Sequence, residues 1–517
     1  MSVRHPSLAR ECADLIAGEW IPLPRGGIRS VNPARPAAAV WEGSARLEHV
    51  DRAVEAARAA QSAWAAWPAE RRFGALRTYR DLCKANEDRI AALIRDETGK
   101  VGWDAKGEAS ALAAKVDVTL DATEHGGLRR VAGFEVDLGG SKRGRCWFRP
   151  HGVMAVIAPF NFPMHLPNGH AVPALAMGNT VVIKPSDKTP ACGQLLAELL
   201  DEALRGAGAP PGVVNLVQGG AEAASRLVTH DGIDGVLFTG SWPVGRRILE
   251  SNLDRPGRII ALEMGGNNPA VVMDDCGLRQ AVVECVRSAF VTTGQRCTCT
   301  RRVIVHRAVA GRFIAAVCKV TSNLIIGDPA APHPVFMGPI ISEQARRAAL
   351  DAQARFARAG GEVMVESRAV EAQEGGFFIS PGVVRVDRFT ADDGGGAGCD
   401  EEVFGPMLRV AVTDSLDDAI EQANTTRFGL AASIFTRSER HAERFFNAVR
   451  AGCVNLNAGT AGASSRLPFG GLGISGNHRP AGSFSLDYCA YPVAGMIETG
   501  DAAAVHPGMR VEDSWLA

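Results

Sequence analysis

Apolar residues recur at helical spacing from Val50 through Val54, Ala57 and Trp64, and Pro68 ends the pattern. That period predicts an amphipathic helix with one buried face. After Arg149 the texture changes. VMAVIAPF, TVVIKP, VVNLVQG, GVLFTG and IIALEMGG are short β-rich runs separated by helical stretches. The helix after TVVIKP is expected to open with Thr189 as its cap and Pro190 in its first position. Strands that alternate with helices need crossover connections, so the strands are predicted to be parallel, in a doubly wound α/β sheet. A nucleotide site is then expected at the carboxyl ends of those strands. A second α/β series begins near Pro269 and runs through RRVIVH to the EEVFGP segment, which predicts two α/β domains. The Gly-rich stretch 393–399 is expected to form a surface loop, because no strand-to-helix context surrounds it.

Composition narrows the function classes. With 517 residues, 46% apolar and 22% charged, the chain can bury a large core divided into two or three domains. A net charge of −1, with Lys and Arg scattered, argues against a nucleic-acid partner. The first twenty residues lack the continuous apolar centre of a secretory signal. No run approaches the ~18 apolar residues of a membrane span. The twelve cysteines are spread singly from Cys12 to Cys489, mostly in apolar stretches, as expected for reduced core thiols of a cytoplasmic protein. No Cys/His spacing proposes a metal site.

Four segments carry candidate chemistry. GVLFTGSWPVG places Gly240, Ser241 and Gly245 after a buried-type strand and before the helical run RRILES, where free backbone N–H groups favour a pyrophosphate. The G-x-G-x-x-G fingerprint is absent. TVVIKPSDKTP puts Lys184 at a strand end with Ser186 and Asp187 beyond it, suited to ribose hydroxyls. LEMGG sets Glu263 at the end of a β-type run, where apolar neighbours raise a carboxyl pKa toward the range of a general base. GQRCTC places Cys297 between a helical run and the strand RRVIVH, a position where a thiolate nucleophile can be reached. Cys299 shares the face of Cys297 if both are extended.

Taken in order, PFNFP at 159–163, IKPSDKTP at 183–190, FTGSWPVG at 238–245, LEMGG at 262–266, GQRCT at 294–298, EEVFGP at 401–406 and PFGGLGISG at 468–476 resemble the aldehyde dehydrogenase superfamily over nearly the whole chain. The flanking segments, among them ETGKVGWDAKGE, HLPNGHAVPALAMGNT and GASSRLPFGGLGISGNHRP, resemble most the succinylglutamate-semialdehyde dehydrogenases of arginine breakdown. The resemblance implies an α/β fold with an NAD-binding domain (1–129 and 150–264), a catalytic domain (265–479), a small β oligomerisation flap (130–149 and 480–497) and a tail (498–517). It implies a homodimer or homotetramer.

The resemblance also assigns roles. Cys297 attacks the aldehyde, Asn161 and the backbone N–H of Cys297 hold the oxyanion, and Glu263 activates water to hydrolyse the thioester. Lys184, Ser186 and Asp187 match the adenosine side of the cofactor. Gly240, Ser241, Trp242, Pro243, Val244 and Gly245 match its pyrophosphate loop, and Glu402 and Phe404 its nicotinamide end. A carboxylate at Asp187 repels a 2′-phosphate, so NAD is expected over NADP. An acidic substrate calls for cationic and amide donors. The candidates are Asn168, His170, Arg296, Thr298, Arg466 and the turn Gly462-Ala463-Ser464. Against the subgroup's pattern stand a longer amino-terminal lead, the tail, the Gly-rich insertion and the charge of Arg466. Glutamate or succinate semialdehyde is the alternative substrate, and a catalytically silent structural homologue the alternative class.

Overall fold

The computed structural model describes residues 5–372, 374–391, 397–501 and 503–517. Its strands form two seven-stranded sheets, a three-stranded sheet and three two-stranded ones. The first sheet has the order Ile259–Met264, Gly235–Gly240, Val153–Ile157, Thr180–Lys184, Val214–Leu216, Ala13–Ile16, Glu19–Pro22. The first five of these are parallel, and the last two join antiparallel. Alternate residues of Val153–Ile157 enter two different apolar layers, Met154 and Val156 into one and Val153, Ala155 and Ile157 into the other. Both faces are covered by helices, which is why the run is continuously apolar.

From Val153–Ile157 the chain builds outward through Thr180–Lys184 to Val214–Leu216, then returns to the other side for Gly235–Gly240. The strand order therefore reverses between Val153–Ile157 and Gly235–Gly240. Such a switch opens a crevice at the carboxyl ends of the strands. Register aligns those ends: Ile157 pairs with Lys184 and with Phe238, and Phe238 with Leu262.

The helix expected from the Val50 pattern spans Leu47–Ala65 and buries Val50, Val54, Ala57 and Trp64. Pro68 stands at the N-cap of the next helix, Ala69–Ala85. The helix Pro190–Gly206 has Thr189 at its cap position, yet the threonine hydroxyl makes no cap bond and is buried without a partner. The buried carboxylate of Glu97 does the capping instead, accepting the N–H groups of Ala191 and Cys192 at 3.0 and 2.7 Å. A charge from a helix ninety residues away thus meets the positive helix end.

The second sheet has the order Glu362–Val365, Gly382–Arg385, Met407–Thr413, Thr300–His306, Asn268–Val272, Ala431–Phe435, Cys453–Leu456. All but the first are parallel. The chain crosses between the sheets over three residues, from Met264 to Asn268. Residues 393–396 of the Gly-rich stretch lie outside the described residues. Its other end departs from a surface loop: Gly398 and Cys399 are buried, and Arg409 donates to the carbonyls of Ala397 and Gly398.

The third sheet is antiparallel, with Lys142–Pro150 between Phe134–Asp137 and Ala490–Glu498. It exposes Phe134, Tyr491 and Met496. No helix among the described residues is long and apolar enough to cross a membrane.

Candidate active site

The carboxyl edge of the first sheet faces the start of the second, and a cavity of about 400 Å³ lies there, within the size range of small-molecule sites. Glu263, Cys297, Thr298, Arg296, His170 and the 462–464 turn all line it.

Cys297 is half-buried and sits in a turn three residues before the strand Thr300–His306. It is not extended, so Cys299 does not share its face: Cys299 is fully buried and its thiol points to the Val291 carbonyl at 3.8 Å. The turn is closed by the Cys299 N–H on the Arg296 carbonyl at 3.1 Å. The Asn268 side-chain amide clasps it by donating to the carbonyls of Cys297 and Cys299, both at 2.8 Å. Before the turn, Thr292, Thr293 and Gly294 have φ of 56°, 54° and 71°. Left-handed backbone is costly for a β-branched residue. Both threonine hydroxyls are tied down, Thr292 to Asp104 at 2.6 Å and Thr293 to the Gly338 carbonyl at 2.9 Å. At Gly294 a Cβ would lie 2.2 Å from the Gly405 carbonyl oxygen, so only glycine fits.

Glu263 is almost fully buried, and its Oε2 has no hydrogen-bond partner. Burial pushes its carboxyl well above the ordinary carboxylate range, against the opposing pull of the Ala481 and Gly471 N–H groups. The Cys297 thiol is also raised, first by burial and then by the Glu402 and Glu263 carboxylates. Asn161 donates to the Gln295 carbonyl at 3.0 Å, which uses one of the two N–H groups of its amide. The two glycines after Met264 are close-approach positions. A Cβ on Gly265 would strike the Glu402 carboxylate, and one on Gly266 the Asn268 side chain.

At the switch point the helix Trp242–Glu250 begins directly after Ser241, earlier than the RRILES run suggested, with Pro243 in its first turn. The Ser241 hydroxyl makes no cap bond, so the helix end is open to an anion. Lys184 is buried, donates to the Gly219 carbonyl at 2.6 Å and is pushed down to about 8 by burial. Ser186 and Asp187 follow it toward the surface. Glu402 accepts the Gly266 N–H at 3.2 Å and lies 3.7 Å from Arg301; burial raises it to about 7. Phe404 stands edge-on to Phe160 at 5.8 Å.

The aldehyde dehydrogenase family model matches residues 20–492. The chain belongs to the aldehyde dehydrogenase family. This aldehyde dehydrogenase is 45% identical over 449 residues to N-succinylglutamate 5-semialdehyde dehydrogenase 1 of Caulobacter vibrioides, covering 86% of this chain and 91% of that one. The N-succinylglutamate 5-semialdehyde dehydrogenase of Vibrio cholerae is 41% identical over 506 residues, 96% of this chain and 99% of its own. A solved NADP-dependent enzyme of Escherichia coli superposes with a TM-score of 0.84 at 32% identity, covering 94% of this chain and 98% of that one. The fold is one that takes a nicotinamide cofactor.

Not every expected substrate donor of this aldehyde dehydrogenase reaches the cavity. Asn168 is fully buried; its amide accepts from the Tyr79 hydroxyl at 2.8 Å and donates to the Leu112 carbonyl at 3.1 Å, so it serves helix packing. Arg466 is exposed in a separate depression beside Arg77 and Arg80. His170 lines the cavity but is spanned by the Tyr488 and Thr239 hydroxyls at 3.0 and 3.1 Å, and burial lowers it to about 3, so it is a neutral ring. Arg296 is paired with Asp104 at 2.6 Å.

Sequence reasoning missed Asn268, Asp104, Arg301 and Lys115. For Asp104, Glu108 and Lys115 a signal was present: they lie on one face of the helix Gly102–Thr119, shared with Leu112 and Val116. Charged residues at helical spacing among apolar ones mark a face that packs against a polar cavity.

Proposed function

We propose that this enzyme oxidises an acidic semialdehyde to its carboxylate with NAD, and that the substrate is N-succinylglutamate 5-semialdehyde. The observation that carries the reaction is one cavity lined by both Cys297 and a buried Glu263 carboxyl whose Oε2 has no hydrogen-bond partner among the described residues. The substrate class rests on the likeness to relatives of that name over nearly their whole length.

In this reading the Cys297 thiol gives up its proton to water as its sulfur bonds to the aldehyde carbon, and the resulting oxyanion takes an N–H of Asn161 and the backbone N–H of Cys297. Bound NAD supplies the hydride acceptor. Loss of hydride from the carbon leaves a thioester on Cys297. Glu263 then takes a proton from water as its oxygen attacks that carbon, and the thiol leaves with a proton restored. A carboxyl with a raised pKa is a stronger base than an ordinary one, which suits this step.

Lys184, Ser186 and Asp187 would hold the adenosine side of the cofactor. The 240–245 segment would hold the pyrophosphate, and Glu402 with Phe404 the nicotinamide end. The open helix end at Ser241 and the crevice at the strand switch fit such a group. The exposed Asp187 carboxylate favours NAD by repelling a 2′-phosphate. The exposed apolar residues of the third sheet favour self-association through that sheet.

The test is reduced-cofactor formation at 340 nm with N-succinylglutamate semialdehyde, succinate semialdehyde and glutamate semialdehyde, each with NAD and NADP. Preference for the succinylated substrate and NAD is expected, with Cys297→Ala slower by at least about 10⁴-fold. Equal turnover of another semialdehyde sinks the substrate; a Cys297→Ala enzyme of unchanged rate sinks the mechanism.

A further inference from the structure

Among the described residues, the charged side chains around the cavity are matched in pairs except Glu263 and Lys115. Asp104 pairs with Arg296, and the buried Glu108 with the buried Lys100. Glu108 also accepts the N–H groups of Met164 and His165, both at 3.1 Å. Glu263 is held toward its neutral form. Lys115 also lines the cavity, is 3% exposed and makes no ion pair among the described residues. Its Nζ donates to the Gly482 carbonyl and to the Ser485 hydroxyl, both at 2.7 Å. An ammonium has three N–H bonds, so one is left over.

Two further observations set a ligand site beside the spare N–H. His165 lines the same cavity, and its Nδ1 is buried without a partner. Ala481 and Gly482 form one short strand, the first residue presenting its N–H to Glu263 and the second its carbonyl to Lys115. The unpaired cation and the base are thus braced by adjacent residues, beside the place where the aldehyde must lie. A buried cation without an anion is unfavourable, and an arriving carboxylate removes that penalty. Burial pushes Lys115 down only to about 8, so it is still largely charged at neutral pH.

We propose that Lys115 is the specificity residue for acidic aldehydes, its ammonium binding a carboxylate of the substrate, with His165 beside it, while the aldehyde sits at Cys297. This deepens the functional reading above and rests on it, since it names the group that recognises the acidic substrate. A purely structural role, bracing the 482–485 turn, is the competing account.

Steady-state kinetics of the full-length enzyme separate the two. Lys115→Met should raise KM about 10- to 100-fold for N-succinylglutamate semialdehyde and for succinate semialdehyde, with kcat within about threefold. For butanal, which has no carboxylate, kcat/KM should hold or rise, and Lys115→Arg should recover part of the loss on the acidic substrates. If Lys115→Met does not fold, Lys115→Gln carries the same comparison, since it keeps a donor for Gly482 and drops the charge. An equal loss on butanal and acidic aldehydes, or an unchanged KM for the acidic ones, overturns the proposal. The substrate reading fails separately: wild type that prefers succinate semialdehyde, with Lys115→Met impaired on it, discards the succinylated substrate and keeps Lys115.

Discussion

The two large sheets meet around the cavity by opposite edges, with Thr239 and Glu263 of the first and Cys297 and Thr298 before the second lining it. The first presents its carboxyl edge: Lys184, Gly240 and Glu263 are the last or next-to-last residues of their strands. The second presents its amino edge: Asn268 and Thr300 open their strands, Cys297 precedes Thr300, and Glu402 precedes Met407–Thr413. At the carboxyl edge, positions are fixed by regular strand register, as for Glu263 paired with Thr239. At the amino edge they are fixed by irregular backbone. Two left-handed threonines there cost about 1–2 kcal/mol each, offset by the bonds their hydroxyls donate to Asp104 and to the Gly338 carbonyl. Cys297 is therefore held by particular side chains, and Glu263 by the sheet.

The largest expected effect divides the work of the two edges. Glu263→Gln should slow steady-state turnover by about 10²–10⁴-fold. If the base belongs to hydrolysis alone, a rapid burst of one NADH per active site should survive, followed by a slow phase. Stopped-flow absorbance at 340 nm reads this directly. Absence of the burst would move Glu263 into the attack step as well and blur the division.

Next come two glycines, one from each edge. Gly294→Ala places a Cβ against the Gly405 backbone at a φ of +71°, and neither backbone can yield. A loss of about 2–4 kcal/mol in stability is expected. Gly245→Ala meets the Met264 thioether at 2.4 Å, the flexible end of a side chain that can swing away. Its urea midpoint should hardly move, while KM for NAD rises about tenfold as the phosphate loop is crowded. Equal midpoint shifts in the two variants would break the contrast between register and irregular backbone.

The same contrast explains what was legible in the sequence. The carboxyl edge follows a general rule of open α/β sheets, so the helix from Leu47, the parallel strands and the ends at Lys184, Gly240 and Glu263 could be placed from periodicity and β-type runs. No such rule reaches the amino edge, and Cys297 and Glu402 were singled out by family motifs. Residues acting over long sequence separation stayed hidden: Glu97 capping the helix at Pro190, Asp104 gripping Thr292, and Lys115 facing Gly482. Asn168 failed as a substrate donor for the same reason, because its partner Tyr79 lies on another helix and absorbs the polar group that made it look available.

The smallest expected effect sharpens the comparison through pH. Each edge buries one carboxyl near the nucleophile. Glu402 has Arg301 at 3.7 Å and is raised from 4.5 to about 7, whereas no ion pair among the described residues relieves Glu263, which stands well above its ordinary value. With a raised pKa the folded state binds more protons than the unfolded one between the two values, so stability falls as pH rises through that window. For Glu402 the window runs from about 4.5 to about 7; the raised Glu263 carboxyl adds a fall of the same sign above its ordinary value. Urea midpoints measured from pH 5 to 9 should show Glu402→Gln losing the fall below pH 7 and keeping the rest. Glu263→Gln should also lose part of the fall in stability with rising pH. Identical profiles for the two variants would mean that Arg301 makes no difference to the amino edge, and that the two carboxyls feel one common environment.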